Sequence, residues 1–506
     1  MKISVKIKSW KKEIKDNPLI YVLLAFILLL AFFVRAYRTG DLLRFYFDQG
    51  RDALVIWRLW HEGRLFLIGP VTGLAGIFLG PFYYYLIAPF YLIGGGNPVY
   101  PAVFLAFLST LAIFIVYFLG WKMHSRVAGI IAATITGFSY YIFRTSRWLS
   151  NPNPILLTSM LFLWSLWEIA NGGKKYWWFL AAFFAGLSLH FESASAVFYI
   201  PLLVAFSIWQ RKNLPDFKTI IISGAAFFAT LIPQILFNLR HNNILLDNFK
   251  KLFFEERAFR ATTKFILEVR SEYFWSVFST KLFPTWRAYA VLFVILAGFV
   301  LLASRYKFKK LILPLFAIFL ITPMVGYLLF QGNHGNIYDY YMSGYFLPFI
   351  LLFGIGLGEL WKKPGGFIAV LFFFYLFFAS NGMFIKNYIT ATVKTRPISL
   401  EEELKAVDWV FENARGRGEF NVDIYVPPVI PHSYDYLFLW QATKRCGENL
   451  CNMVKDEQVS LLYLLYEEDP PHPERLEAWM DKQAGIGKVE EEAKFGGITV
   501  QRRKRL

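Results

Sequence analysis

An aromatic run near the start of the chain, Phe45-Tyr46-Phe47-Asp48-Gln49-Gly50-Arg51-Asp52-Ala53, concentrates groups that could do chemistry. A carboxylate held against aromatic surface at an interface suits the work of a general base. Asp48 is the candidate, and it opens an amphipathic stretch, 52–61, with Leu54, Trp57 and Leu59 as apolar contacts. An aspartate in a bare loop is usually surface decoration, so its aromatic setting carries the assignment. Arg35, Arg38, Arg44, Arg51, Arg58 and Arg64 crowd the same neighbourhood. A second cationic group, with Arg240, Lys250, Lys251, Arg270, Lys281 and Arg287, lies in 240–287. Cations at this density suit a phosphate at headgroup level. Taken singly, most of them read as snorkelling side chains with stems on apolar surface.

The elements that must position these groups follow from composition. Of 506 residues, 56% are apolar and 18% charged, where a soluble domain carries roughly 25% charged residues. Aromatics make up 19%, including 54 Phe. This excludes both a water-soluble enzyme and a disordered chain. A helix needs about 20 apolar residues to cross the hydrocarbon core. The first candidate, 18–34, follows Lys2, Lys6, Lys8, Lys11, Lys12 and Lys15 and has no small-residue cleavage site after it. It reads as an uncleaved first span with a cytoplasmic N-terminus. Ten more spans are expected at 98–121, 127–143, 154–170, 176–189, 193–209, 219–239, 288–304, 311–331, 343–360 and 365–385.

The aromatic stretch 80–93 decides orientation. It is short, contains Pro89 and runs into Gly94-Gly95-Gly96. If it does not cross, the short loops with Lys122 and Arg126, Lys174 and Lys175, Arg211 and Lys212, Lys310, and Lys362 and Lys363 are all cytoplasmic. That satisfies the positive-inside rule. The sequence therefore predicts an all-α polytopic membrane domain over 1–385 with about eleven spans. Its first external loop, 36–97, contains interfacial helices, and 240–287 forms a second external loop. Residues 386–506 alternate strand-like and helix-like segments (420–426, 434–444, 459–466, 473–483, 497–501) and read as a small external α/β domain. Cys446 and Cys451 both fall there; a disulfide and two free thiols are both open. The net charge of +17 divides into +20 on 1–385 and −3 on 386–506.

Several motifs follow one another in a familiar order. A basic first span leads to a loop with Asp48, then to Gly80-Pro81-Phe82-Tyr83-Tyr84-Tyr85. The third span ends at Arg147-Trp148-Leu149-Ser150-Asn151-Pro152-Asn153-Pro154, and the fifth at Gly186-Leu187-Ser188-Leu189-His190-Phe191-Glu192-Ser193. The seventh ends at Phe237-Asn238-Leu239-Arg240-His241-Asn242. The tenth opens with Tyr338-Asp339-Tyr340-Tyr341 before Leu347-Pro348. Over about 1–385 this resembles the C-type glycosyltransferases that use polyprenyl-phosphate sugars. The nearest group is the bacterial relatives of protein mannosyltransferase and lipid A aminoarabinose transferase.

The resemblance implies that Asp48 is or adjoins the catalytic base. Gln49 replaces the glutamate that commonly follows it, and Asp52, one helical turn on, could share its face. Asn151 stands where an aspartate often precedes proline, which weakens the case for a metal there; divalent metal dependence is left open. His190, Arg240 and Arg51 are the expected donor-phosphate ligands. Gln49, Asn151, Glu192, Tyr338 and Tyr340 are the expected substrate contacts, and the helix at 80–93 is expected to shape a lipid groove.

The implied function is sugar transfer from a polyprenyl-phosphate donor to a lipid, glycan or protein acceptor. The reaction would take place at the outer face of the cytoplasmic membrane, with inversion at the anomeric carbon. No Rossmann-type glycine fingerprint for a nucleotide sugar is present, and no nucleic-acid partner is expected. Two other classes compete: a polymerase or ligase of lipid-linked oligosaccharides, and a flippase of lipid-linked sugars. A flippase predicts discontinuous spans with midplane charges, whereas here the charges gather at span ends.

Overall fold

The computed structural model describes residues 12–72, 76–251, 255, 262–304 and 306–505. Lys2, Lys6, Lys8 and Lys11 of the basic N-terminal flank lie outside the described residues. Six helices are long and apolar enough to cross a membrane: Pro18–Ala36, Val99–Met123, Phe217–Arg240, Lys310–Leu329, Asp339–Leu360 and Gly366–Ile389. The chain is thus a polytopic membrane protein. The helix pair Arg126–Phe138 and Tyr140–Ser146, bent by 63°, makes a seventh if taken as one span. The remaining expected spans coincide with the shorter apolar helices Ile155–Ala170, Tyr176–Ser188, Ser193–Trp209 and Arg287–Leu302. At 1.5 Å per residue, the 13 residues of Tyr176–Ser188 reach roughly 20 Å against a core of about 30 Å. Length and apolarity therefore count six or seven spans, and eleven remains an expectation.

The bend is held by a buried side chain. Breaking a helix inside a bilayer frees backbone groups that only protein can satisfy. Asn381 Oδ1 accepts the Tyr140 N–H at 2.8 Å, and its Nδ2 donates to the Leu282 carbonyl at 2.9 Å. The most deeply packed helix, Ser343–Leu360, meets Arg126–Phe138 through small residues. A Cβ at Gly354 would lie 2.7 Å from the Ala132 Cβ, and one at Gly358 2.6 Å from the Ala128 Cβ. Small residues let helix backbones approach where no hydrophobic force separates protein from lipid.

After Ile389 the chain builds a four-stranded sheet in the order β1-β2-β4-β3: β1 Phe420–Tyr425, β2 Leu461–Glu467, β3 Lys488–Phe495 and β4 Ile498–Lys504. β1 and β2 pair in parallel, the others antiparallel. Helices Leu400–Ala414, His432–Cys446 and Pro473–Gln483 accompany the sheet. The Leu400–Ala414 helix and β3 have no counterpart in the sequence reading. β3 is an edge strand rich in glutamate, and Arg502 of β4 pairs with its Glu490 and Glu491 at 3.1 and 2.7 Å. Cys446 and Cys451 are joined in a disulfide.

This domain sits directly on the first loop. Its His432–Cys446 helix packs on the Phe47–Glu62 helix, with Gly50 against the backbone of His432 and Ser433. Trp440 Nε1 donates to the Gly95 carbonyl at 2.6 Å. The Leu400 N–H donates to the Leu43 carbonyl at 2.8 Å, and the Ser399 hydroxyl to that of Asp41 at 2.7 Å.

Candidate active site

Residues Phe47 to Ala53 of the aromatic run form the start of the Phe47–Glu62 helix, with Tyr46 as its N-cap. Gln49 closes its N-terminus: its Oε1 accepts the Tyr46 N–H at 3.0 Å, and the side chain is buried. The residue expected as a substrate contact is therefore part of the helix cap. With Gln49 turned inward, Asp48 faces outward, its side chain 42% exposed.

Arg51 lies between the two carboxylates. One terminal nitrogen reaches Asp48 Oδ1 at 2.8 Å and the other reaches Asp52 Oδ1 at 2.8 Å. Asp52 also accepts from the Tyr84 hydroxyl at 2.9 Å. Burial pushes the Asp52 carboxyl up to about 6, although Arg51 pulls against it. Asp52 is thus the buried anchor of the guanidinium, and Asp48 is the accessible carboxylate.

Asp48 and Arg51 line a cavity of about 390 Å³ with Asn151, Glu192, Tyr340 and Tyr341. Four of the expected site residues (Asn151, Glu192, Arg51 and Tyr340) thus meet the candidate base. Asn151 donates to the Phe191 carbonyl at 2.6 Å and ties the end of the third expected span to that of the fifth. Glu192 accepts the Ala194 N–H at 3.1 Å, and burial pushes its carboxyl up to about 8. Tyr338 lies one ring behind, stacked parallel on Tyr340 with centroids 5.6 Å apart.

Two expected phosphate ligands stand elsewhere. His190 is buried, and both ring nitrogens are engaged: Nε2 donates to the Thr230 carbonyl at 2.7 Å, and Nδ1 accepts the Phe82 N–H at 3.3 Å. Burial pushes its pKa down to about 4. A neutral, fully bonded imidazole does not fit a phosphate-binding role; it fixes the turn that enters the Phe82–Ile93 helix. Arg240 is exposed at the end of the Phe217–Arg240 helix and makes no ion pair among the described residues. It is not among the residues that line the Asp48 cavity.

Two further cavities adjoin this one. A groove of about 370 Å³ is almost wholly apolar, with Ile77, Phe78, Val197, Leu231 and Phe330 in its wall, and it shares Ser193, Ala194 and Tyr341 with the Asp48 cavity. The lipid-groove expectation for 80–93 shifts accordingly. Tyr83, Tyr84, Ile87 and Tyr91 of that helix are buried in the core; of this stretch only Ile77 and Phe78, just before it, reach the groove wall. On the other flank, a cavity of about 440 Å³ shares Trp148, Pro152 and Tyr340 and is lined by Arg44, Arg144 and Arg147. Beneath it, the buried Lys281 pairs with Asp339 at 3.1 Å, its ammonium 4.2 Å from the Phe346 ring centroid. Arg144 was not singled out in sequence; it sits one turn before Arg147 on a helix whose bend sequence does not announce. Among the described residues, no three His, Cys, Asp or Glu side chains gather as a metal site.

Residues 79–237 match the family model for dolichyl-phosphate-mannose-protein mannosyltransferase. No curated protein sequence matches the chain. The crystal structure of ArnT from Cupriavidus metallidurans bound to undecaprenyl phosphate superposes with a TM-score of 0.59 at 11% identity, covering 95% of this chain and 97% of that one. The same protein in the apo state gives 0.59 at 10% identity, with the same coverage. The archaeal oligosaccharyltransferase AglB from Archaeoglobus fulgidus, in complex with an inhibitory peptide and a dolichol-phosphate, gives 0.50 at 12% identity, covering 90% and 70%. The matched segment and the shared fold agree with the resemblance drawn from motif order: the chain has the fold of ArnT, and its residues 79–237 are similar to the dolichyl-phosphate-mannose-protein mannosyltransferases.

Proposed function

We propose that the protein transfers a sugar from a polyprenyl monophosphate to an acceptor hydroxyl at the outer face of the membrane, with inversion at the anomeric carbon. The observation that carries this reading is a cavity lined by Asp48 and Arg51 that shares wall residues with an apolar groove on one side and an arginine-lined cavity on the other. The apolar groove suits an isoprenoid chain, and the aromatic, arginine-lined cavity opposite suits an acceptor. The space between holds one accessible carboxylate and one anchored cation.

In the reaction, the acceptor oxygen attacks the anomeric carbon as its proton passes to Asp48. The bond from that carbon to the phosphate oxygen breaks on the opposite side. Arg51 stands ready for the charge that develops on the phosphate, already oriented by Asp52 and Tyr84. A donor fixed before the reaction stabilises developing charge without reorganising. Tyr338 and Tyr340 offer ring faces to a sugar. The basic short loops support a cytoplasmic N-terminus and an external C-terminal domain.

The test is an assay of the purified protein with a polyprenyl-phosphate sugar, run beside a lipid-diphosphate oligosaccharide. Turnover of the first supports the reading. Turnover of the second alone makes the protein a polymerase or ligase. Movement of either lipid across a vesicle without transfer makes it a flippase.

A further inference from the structure

We propose that Glu192, in its acid form, donates a hydrogen bond to the phosphate oxygen that departs with the lipid. This rests on the transfer reaction above and adds to it a second, uncharged group that receives the leaving oxygen.

Position is the first argument. The apolar groove and the Asp48 cavity have Ser193, Ala194 and Tyr341 in common. An isoprenoid chain lying in the groove brings its phosphate to that rim. Glu192 is the residue immediately before the rim and lines the Asp48 side of it. The donor phosphate therefore sits between Glu192 and the guanidinium of Arg51, which comes from the Phe47–Glu62 helix.

The surroundings of Glu192 are the second argument. The residue is 6% exposed and makes no ion pair among the described residues. Its Oε1 accepts the Ala194 N–H, which leaves the carboxyl proton free to be donated elsewhere. The ionisable groups near it are tyrosines: Tyr340 and Tyr341 before the Ser343–Leu360 helix, Tyr273 of Thr263–Ser279, and Tyr327 of Tyr306–Leu329. Arg270 lies beside Tyr273 and Tyr327. Asp48 and Arg51 complete the cavity. A carboxyl buried without a cation keeps its proton, because the charged form loses its hydration and gains nothing in return. Burial accordingly carries Glu192 to about 8. At neutral pH the rim thus presents an O–H donor to the phosphate, where an ionised glutamate would repel it.

The bonds balance. The acceptor's O–H proton goes to Asp48, and the carbon–oxygen bond to the phosphate breaks with its electron pair on the phosphate oxygen. That oxygen takes up the hydrogen bond from Glu192. The Glu192 proton stays on the carboxyl and no further reactant is consumed.

The experiment measures polyprenyl-phosphate binding and sugar transfer from pH 6 to 9.5 for the unaltered protein, Glu192→Gln and Glu192→Ala. Binding to the unaltered protein is expected to weaken about tenfold between pH 7 and 9 as the acid ionises. Glu192→Gln, still a neutral donor, is expected to keep most of the turnover and to lose the alkaline fall. Glu192→Ala is expected to lose about tenfold or more in turnover across the range. A Gln variant that shows the same alkaline fall overturns the proposal. So does binding to the unaltered protein that stays flat from pH 7 to 9, a readout that needs no variant to fold. Absence of transfer by the unaltered protein at any pH counts against the reaction itself, and the binding curve still decides the role of Glu192.

Discussion

Gly50 lies so close to Ser433 that a Cβ built on it would collide with the Ser433 amide nitrogen. The helix that carries Asp48 is thus held by the backbone of the C-terminal domain at a point two residues from the candidate base. Gly50→Ala has to push these two backbones apart. Overpacking of this kind costs about 1–3 kcal/mol, and displacement of a catalytic group by an ångström costs roughly a hundredfold in rate. The expected result is a lower melting temperature and a loss of turnover of tenfold or more. Gly40→Ala, with nothing within 4 Å of the new methyl, serves as the control and should be silent in both.

Asp48 and Asp52 bind the same guanidinium yet are expected to fail differently. Asp48→Asn removes the accessible base, so turnover should vanish while donor binding stays within a few-fold. Asp52→Asn loosens the anchor of Arg51, so donor affinity should fall together with turnover. Retention of normal turnover by Asp48→Asn would remove it as the base. Steady-state kinetics alongside donor titrations separate the cases.

The Glu192 carboxyl, raised from 4.5 to about 8, also has a signature in stability. Between those values the unfolded chain has released the proton and the folded chain keeps it, so stability falls as pH rises. The contribution is lost progressively up to about pH 8 and is constant beyond. Thermal melts of detergent-solubilised Glu192→Gln should therefore gain on the unaltered protein from pH 5 to pH 8, and the gap should then level off. A gap independent of pH would contradict the buried, protonated carboxyl.

His190 should behave as a scaffold residue. Because its pKa is pushed down to about 4 by burial, donor affinity should show no transition attributable to imidazole between pH 5 and 7.5. His190→Ala strands the Phe82 N–H and the Thr230 carbonyl, each costing about 1–3 kcal/mol. Its expected defect is in yield and melting temperature, with the remaining folded protein binding donor normally.

The Lys281–Asp339 pair is asymmetric, and so should be its variants. Lys281 is 1% exposed while Asp339 is 51% exposed. Asp339→Asn leaves a buried ammonium without its counter-charge, a loss of about 3 kcal/mol. Lys281→Met leaves an aspartate that solvent still reaches, and should be milder. The double variant should be more stable than Asp339→Asn alone, which a double-mutant cycle on melting curves measures.

Much of this architecture could be read from residue order. The long apolar helices, the short aromatic helix within 80–93 and the strand–helix alternation after 386 all show in periodicity and length, because burial in lipid or in a core selects residue types directly. The aromatic setting of Asp48 was legible, and the structure places that carboxylate on a cavity wall. What escaped depended on distance along the chain. Gln49 looks like a substrate contact until the helix start turns it into a cap. His190 looks like a cation until Thr230 and Phe82 occupy both its nitrogens. The cationic cavity needed Arg44 brought to Arg144 and Arg147, and β3 hid its strand character in a run of glutamates that only Arg502 explains.

The contact between the first loop and the C-terminal domain also sets an order of assembly. Ser399 and Asp41, which share a hydrogen bond, are 358 residues apart. At a synthesis rate of about 5–20 residues per second, the Asp48 helix waits on the order of half a minute for the surface that seats it. During that interval the nascent chain carries Asp48 on an unsupported segment. The seat of the Asp48 helix is therefore complete only when translation is nearly finished.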